Sequence, residues 1–153
     1  MKILKGDILT VKKGIICHQT NCQGVMGAGL ALQIRNKWPK VYRKYKTFCQ
    51  HTPNLLGRAQ YVIAGPQLGV VNLFGQDFYG GDLRCTNYEA VARGFEELQS
   101  IIASDYKHLY IPKLMGCALA GGAWDIYLAI AKYYFPNINV VAYDPNNPAL
   151  KEI

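Results

Sequence analysis

One stretch near the amino terminus, GIICHQTNCQGVMGAGLALQIRNKWP over residues 14–39, restricts the possible folds more than any other part of the chain. It begins with an apolar run typical of a buried strand, and from Leu30 apolar residues recur at helical spacing as far as Trp38. The loop between them holds three glycines, whose backbone lets a ligand approach closely. Free N–H groups of such a loop and the positive end of the following helix favour phosphate. The stretch therefore predicts a strand, a phosphate-binding loop and a helix.

The loop matches neither of the common nucleotide-binding loops. Gly24, Gly27 and Gly29 are spaced G-x-x-G-x-G, and no Gly-Lys-Ser/Thr follows them. The spacing supports generic phosphate binding, and a glycine-rich turn that serves packing alone is the alternative.

Length and composition indicate the class of protein. A chain of 153 residues is long enough for one domain over residues 1–153 with a real core. No apolar run reaches membrane-spanning length, and the lysines scattered through the first residues do not form a secretory signal. We therefore expect a soluble, cytoplasmic protein with no membrane contact. Because no heptad seam or exposed apolar stripe is evident, we also expect a monomer.

The five cysteines are scattered without a CxxC pair, which predicts reduced thiols. A zinc site would have to gather Cys17, His18, Cys22, Cys49 and His51, whose spacing fits no common zinc framework. Small buried thiols that pack as apolar groups are the better interpretation. We expect neither a metal ion nor a cofactor.

Charge is distributed unevenly along the chain. Residues 1–76 carry eleven basic residues and one acid, a net +10, whereas residues 77–153 carry six basic and nine acidic residues, a net −3. Much of the excess lies in Arg35, Lys37, Lys40, Arg43, Lys44 and Lys46, next to the glycine loop. Such a field attracts phosphate-bearing ligands, from a dinucleotide to nucleic acid. A solvated helix face that keeps the protein soluble is the alternative.

The rest of the chain predicts alternating strands and helices. Strands are expected at residues 2–5, 15–18, 61–64, 70–74, 108–112 and 139–143, and helices after residues 30, 39, 87 and 124. Thr86 and Glu89 have the spacing of a capping box for the third helix, which is expected to end near Ala103. This order indicates an α/β fold with a mixed, largely parallel sheet covered on both faces.

A second loop of small residues, MGCALAGGA, follows the strand at 108–112. In sheets of this kind ligands bind beyond the carboxyl ends of strands, where loops enter helices. Both loops occupy that position, and together they could hold a diphosphate from two sides.

These residues resemble the macrodomain family over nearly the whole chain. The resemblance rests on Gly6-Asp7-Ile8 after the first strand, the loops HQTNCQGVMGAGLA and IPKLMGCALAGGAW, and a last strand ending VVAYD. The form with Met-Gly-Ala-Gly and Thr-Asn-Tyr-Glu is similar to the branch that holds ADP-ribose-1''-phosphate phosphatases and hydrolases of glutamate-linked or DNA-linked ADP-ribose. The resemblance implies a three-layer α/β/α fold that binds ADP-ribose.

The resemblance also implies a set of ligand contacts. Asp7 and Ile8 would contact adenine, Asn21 the distal ribose, and Tyr143 the face of the base. Gly27, Ala28 and Gly29 would bind one side of the diphosphate, and Gly116, Cys117, Ala118, Leu119, Ala120 and Gly121 the other. Each contact has a chemical reason, since carboxylates accept from amines, backbone N–H groups donate to phosphate and aromatic rings stack on bases.

The sequence departs from the family pattern at two reactive positions. The hydrolases of glutamate-linked ADP-ribose use a lysine and an aspartate where this chain has Gln76 and Ala120, which argues against that route. The second loop also reads Gly-Cys-Ala where relatives usually have Gly-Cys-Gly.

The remaining catalytic candidates lie near the expected distal ribose. They are His18 as proton acceptor, Asn21 for the ribose, Gln76 to orient water, and Asp77 with Asp82 as loop carboxylates. For His18 a purely structural hydrogen bond is the alternative.

The preferred function is hydrolysis of ADP-ribose-1''-phosphate without a metal ion. A non-catalytic ADP-ribose reader and a hydrolase of protein-linked or nucleic-acid-linked ADP-ribose are the alternatives. The basic first half favours the nucleic-acid form.

Overall fold

The computed structural model describes residues 1–81 and 83–153 and shows a mixed α/β fold. Strands are β1 (Lys2–Gly6), β2 (Gly14–Thr20), β3 (Ala59–Gly65), β4 (Leu68–Phe74), β5 (Leu109–Pro112), β6 (Asn139–Tyr143) and β7 (Lys151–Glu152). Helices are α1 (Gly29–Lys37), α2 (Pro39–His51), α3 (Tyr88–Ile101) and α4 (Trp124–Tyr134), and a short 3-10 helix covers Ile8–Thr10. The predicted order of strands and helices is confirmed.

The strands form one sheet in the order β3-β4-β2-β5-β6-β1-β7. Strands β4, β2, β5, β6 and β1 are mutually parallel, and β3 and β7 are antiparallel additions at the two edges. Because β2 and β5 are parallel neighbours, their carboxyl ends lie side by side. Both small-residue loops start at these carboxyl ends.

Helices cover both faces of the sheet, which confirms the three-layer α/β/α arrangement. On one face Phe95 and Tyr127 of α3 and α4 pack with alternate residues of β2, β4 and β5. On the other face Ile34 and Val41 of α1 and α2 pack over Ile16 and its neighbours. Residues alternate between the two faces along each strand because the side-chain period of a strand is two.

One local prediction is wrong, and the structure has one strand beyond those predicted. The capping box does not form: Asn87 is the N-cap of α3 and accepts from Ala90 N at 3.0 Å, while the Thr86 hydroxyl donates to Gly116 O at 2.6 Å. Strand β7 was not predicted, because only two residues form it, and it pairs with β1 from the far end of the chain. A local pattern does not reveal either long-range contact.

Candidate functional site

A cavity of about 680 Å³ opens where β2 and β5 end. Three segments line it: the end of β2 with the glycine loop, the loop after β4, and the loop after β5. The lining residues are 18–21, 25, 27–31, 76, 79–81 and 112–120. The predicted meeting of the two small-residue loops at one site is therefore observed, and the volume suits a small-molecule ligand.

The glycine loop leaves backbone donors at the start of α1. Ala28 is the N-cap residue of this nine-residue helix and makes no side-chain capping bond. Gly29 has a φ of +56°, a conformation that side-chain-bearing residues adopt with strain. The uncapped N–H groups and the positive helix end suit an anion.

Asn21 holds the glycine loop in shape. Its Oδ1 accepts from Gln23 N at 2.9 Å and from the Tyr45 hydroxyl at 2.8 Å, and its Nδ2 donates to Val25 O at 2.8 Å. One amide hydrogen beyond these contacts is left for a ligand, because Nδ2 carries two. Asn21 thus lies in the cavity wall, with most of its bonding capacity used by the loop, and its contact with the distal ribose stays a prediction.

The loop after β5 is held by its glycines against the core. Gly116 has a φ of +69°, and a Cβ there would lie 2.5 Å from Tyr127 Cε2 and 2.7 Å from Gln19 Oε1. Leu114 also takes a positive φ of 65°, which is uncommon for a residue with a side chain. At Gly116, therefore, only backbone fits against Tyr127 and Gln19.

Gln19 joins the two walls through a network that sequence reasoning missed. Its Nε2 donates to Gln76 Oε1 at 2.8 Å and to Thr86 Oγ1 at 2.9 Å, and its Oε1 accepts from the Tyr127 hydroxyl at 2.9 Å. Gln76 Nε2 in turn donates to Phe78 O at 2.6 Å. The side-chain oxygen and nitrogen of Gln76 are thus both engaged, so it positions a loop in this state.

His18 is buried in the same strand, on the opposite face from Gln19. Only 2% of it is exposed, and its Nε2 lies 2.6 Å from Asn72 Oδ1. Burial lowers the pKa of His18 to about 4, and the Asn72 hydrogen bond opposes this only in part. The imidazole is therefore neutral at physiological pH.

Several predicted site residues lie outside the cavity lining. Gly6 pairs with Tyr143 where the parallel strands β1 and β6 end, so Asp7 and Tyr143 lie next to each other at the carboxyl ends of the strands. Asp7 Oδ1 caps the 3-10 helix by accepting from Leu9 N at 2.9 Å, Ile8 is buried in the core, and Tyr143 is 67% exposed. These positions stay predictions for the adenine end.

The loop after β4 contains the predicted carboxylates. Asp77 accepts from Gln23 Nε2 through its Oδ1 and its backbone oxygen, both at 3.2 Å, and does not line the cavity. Gly121 is also outside the lining. The prediction for Asp82 lies outside the described residues. Exposed Tyr79 and Leu119 stand at the mouth of the cavity.

Cysteines near the cavity are protonated thiols. Burial, with Asp77 and Cys49 nearby, raises the pKa of Cys22 to about 12, and burial also raises the pKa of Cys117. A thiol with a raised pKa is a weak nucleophile. In residues 1–81 and 83–153 no group of three His, Cys, Asp or Glu side chains could hold a metal ion.

A basic face, defined by the exposed side chains of Arg35, Lys37, Lys40, Arg43, Lys44 and Lys46, covers α1 and α2. Within the described part of the chain none of these six forms a salt bridge. Arg35 Cζ lies 4.1 Å and Lys46 Nζ lies 5.9 Å from the centre of the Tyr42 ring. None of the described helices is long and apolar enough to cross a membrane.

Curated relatives match the chain over different lengths. An ADP-ribose 1''-phosphate phosphatase of Scheffersomyces stipitis is 28% identical over 92% of this chain and 98% of its own. One of the same name from Aspergillus clavatus is 36% identical, but over 40% of this chain and 30% of its own. A DNA ADP-ribosyl glycohydrolase of Mycobacterium bovis is 24% identical over 92% of this chain, which spans 41% of that relative. No protein-family model matches.

Solved structures share the fold over nearly the whole chain. A Bacteroides thetaiotaomicron protein of unknown function superposes with a TM-score of 0.78 at 28% identity, covering 94% of this chain and 98% of that one. The macrodomain of Thermus aquaticus DarG gives 0.74 at 21% identity, covering 94% and 97%. Thermosipho africanus DarTG in complex with ADP-ribose also gives 0.74, at 17% identity, covering 96% of this chain and 43% of that one. With its mixed sheet, its two loops at one cavity and these matches, this chain has the macrodomain fold.

Proposed function

We propose that the cavity binds ADP-ribose and that the protein hydrolyses ADP-ribose-1''-phosphate to ADP-ribose and inorganic phosphate. The observation that carries this proposal is the pair of small-residue loops that face one cavity from two sides. Backbone N–H groups at Gly27, Ala28 and Gly29, beside the uncapped start of α1, provide donors for one side of a diphosphate. The loop at Gly116–Ala120 provides the other side.

The comparisons support this ligand. Two matched relatives are named ADP-ribose 1''-phosphate phosphatases, and one of them aligns over 98% of its length. A structure of the same fold is a complex with ADP-ribose. Gln76 and Ala120 favour the phosphate ester over glutamate-linked ADP-ribose, because the lysine and aspartate of that route are missing.

Hydrolysis requires a water molecule in a fixed position near the distal ribose. Water supplies the hydroxyl and the proton that complete the two products, so no further reactant is consumed. Asn21 would bind the ribose through its remaining amide hydrogen, and neutral His18 would accept a hydrogen bond at the adjoining wall. Gln76 would act through the loop that it holds, and Asp77 would reach the ligand only if that loop moved.

The test is phosphate release from ADP-ribose-1''-phosphate in the presence of EDTA. Wild type should release phosphate, and Gly27→Val should not, since it adds a side chain at a lining residue where the diphosphate is proposed to bind. The new Cβ meets only Val25 Cγ1, at 3.4 Å, so the fold should survive. Gly65→Val, far from the cavity, is the control that should keep activity. Binding of ADP-ribose without phosphate release would indicate a reader.

Nucleic-acid-linked ADP-ribose is the second candidate, and the basic face favours it. Six exposed cations without described carboxylate partners form a surface for a phosphate backbone. Arg35 lies six residues, roughly 9 Å, along α1 from Gly29 at the cavity. A relative named DNA ADP-ribosyl glycohydrolase aligns with 92% of this chain.

Salt dependence of oligonucleotide binding tests this second candidate. Arg43→Gln with Lys46→Gln should weaken binding and reduce its salt dependence. Lys12→Gln with Lys13→Gln removes the same charge from another exposed place and should change binding less. Equal effects of the two pairs would leave the basic face as a solubility feature.

A further inference from the structure

Two buried polar atoms in the cavity wall have no hydrogen-bond partner. They are His18 Nδ1 and Thr20 Oγ1, the only such side-chain atoms in the described residues. Both residues line the cavity. A buried polar group without a partner destabilises the fold, so its presence beside a cavity calls for a ligand or water as partner.

A directed chain of hydrogen bonds determines the tautomer of His18. The Lys44 carbonyl can only accept, so Gln60 presents Nε2 to it, at 3.1 Å. Gln60 Oε1 then accepts from Asn72 Nδ2 at 3.0 Å, which leaves Asn72 Oδ1 to accept from His18 Nε2 at 2.6 Å. In a neutral imidazole with a proton on Nε2, Nδ1 carries the free lone pair.

We propose that His18 Nδ1 and Thr20 Oγ1 form a binding site for one hydroxyl group, and that Gln60 and Asn72 are positioning residues that keep Nδ1 an acceptor. His18 and Thr20 are two residues apart in β2, so their side chains leave the same face of the strand, about 7 Å apart at Cα. One hydroxyl can donate to Nδ1 and accept from Thr20. The identity of its donor molecule rests on the proposed function.

The chemistry of the pair excludes an anion as the partner. The lone pair of a neutral imidazole repels phosphate or carboxylate oxygen. The anionic groups of a ligand would therefore bind at the two loops and not at His18. A hydroxyl can come from a water molecule or from the distal ribose of ADP-ribose. Either source would satisfy bonding capacity that no group of the described residues uses.

Nitrogen NMR of histidine-labelled wild-type protein tests the proposal without a variant. His51 and His108 are exposed and serve as internal references. The unprotonated nitrogen of His18 should be Nδ1 in the free protein, and its resonance should move in the direction of hydrogen-bond acceptance when ADP-ribose saturates the protein. An unprotonated Nε2, or an Nδ1 resonance typical of a nitrogen without a hydrogen bond both before and after saturation with ADP-ribose, would overturn the proposal.

ADP, which lacks the distal ribose, separates the two sources of the hydroxyl. A shift with ADP-ribose and none with ADP assigns the ribose hydroxyl, and a hydrogen-bonded Nδ1 that neither ligand shifts assigns water. Backbone amides of Gly27 and Gly29 report binding independently. If they do not respond, the proposed function fails, while the tautomer of His18 still decides the role of Gln60 and Asn72.

Variants at Asn72 test the positioning role. Asn72→Leu removes the acceptor and should give a mixture of His18 tautomers, with kcat reduced up to about a hundredfold and KM little changed. Asn72→Asp keeps an acceptor and should restore the single tautomer. A single Nε2–H tautomer in folded Asn72→Leu would contradict the role of Asn72.

Discussion

His18 and Gln19 are neighbours in β2, yet they face opposite sides of the sheet in different states of hydrogen bonding. Gln19 makes three side-chain bonds, to Gln76, Thr86 and Tyr127. His18 makes one bond, to Asn72, and its other ring nitrogen has no partner. The two residues therefore have different functions within one cavity wall.

The comparison distinguishes the frame of the site, by which we mean the Gln19 network, from His18, which has a ring nitrogen available for a ligand. The Gln19 network ties together the loops after β4 and β5 and leaves little capacity for a ligand. The His18 chain ends in a covered ring nitrogen without a partner, in a residue that lines the cavity. A bonded network rigidifies its surroundings, whereas an unsatisfied group marks a place where a partner is missing. Three predictions test this division, and the first concerns the frame.

Gly116→Ala should have the largest effect. Its Cβ would lie 2.5 Å from Tyr127 Cε2 and 2.7 Å from Gln19 Oε1, at a φ of +69°. Steric clash and backbone strain together should lower the free energy of unfolding by about 3 kcal/mol or more. Urea denaturation measures the change.

Gly24→Ala is the matched control for that substitution. Gly24 has a φ of +74°, but its Cβ would meet nothing within 4 Å. Backbone strain alone should cost about 1 kcal/mol. Equal losses in the two variants would show that the close approach of the second loop to Gln19 is unimportant.

Acid should destabilise the protein through His18. The pKa of His18 is about 4 in the folded protein and 6.5 in the unfolded chain, so the unfolded chain binds the proton first as the pH falls. The stability that depends on neutral His18 is fully present above pH 6.5 and is lost as the pH falls to about 4. By that pH the free energy of unfolding has decreased by about 3 kcal/mol.

Denaturation curves of wild type and His18→Gln across this pH range measure that loss. The difference between the two proteins should shrink as the pH falls, because the variant lacks the titrating group. Parallel curves would mean that His18 is not protected from protonation.

Gln19→Leu should have the smallest of the three effects, about 2 kcal/mol, because it leaves the Tyr127 hydroxyl and Gln76 Oε1 without their partner. Gln23→Leu is the matched control, since Gln23 is exposed and its bonds to Asp77 are 3.2 Å long. Thermal melting compares the two variants, and a larger loss of stability for Gln23→Leu would contradict the stabilising role of the Gln19 network.

Local sequence patterns predicted the elements that build the site. The apolar run before the glycine loop became β2, and the helical spacing after Leu30 became α1. Small residues also marked both loops, because only backbone can pack where Gly116 meets Tyr127. These signals depend on neighbours in the chain, so the sequence displays them directly.

The polar networks could not be predicted because they join distant residues. His18 and Asn72 are 54 positions apart, and Gln19 and Tyr127 are 108 apart. Thr86 looked like a helix cap, but its hydroxyl bonds Gly116 across the fold. Only the register of β2 against β4, which pairs His18 with Asn72, brings that pair together.

Calorimetric titration with ADP-ribose tests the central claim most directly. Wild type should bind one molecule per chain, and Gly27→Val should fold normally yet give no binding heat, because it adds a side chain at a cavity-lining residue proposed to bind the diphosphate. Absence of binding by wild type, or unchanged affinity in folded Gly27→Val, would contradict the assignment of the cavity to ADP-ribose.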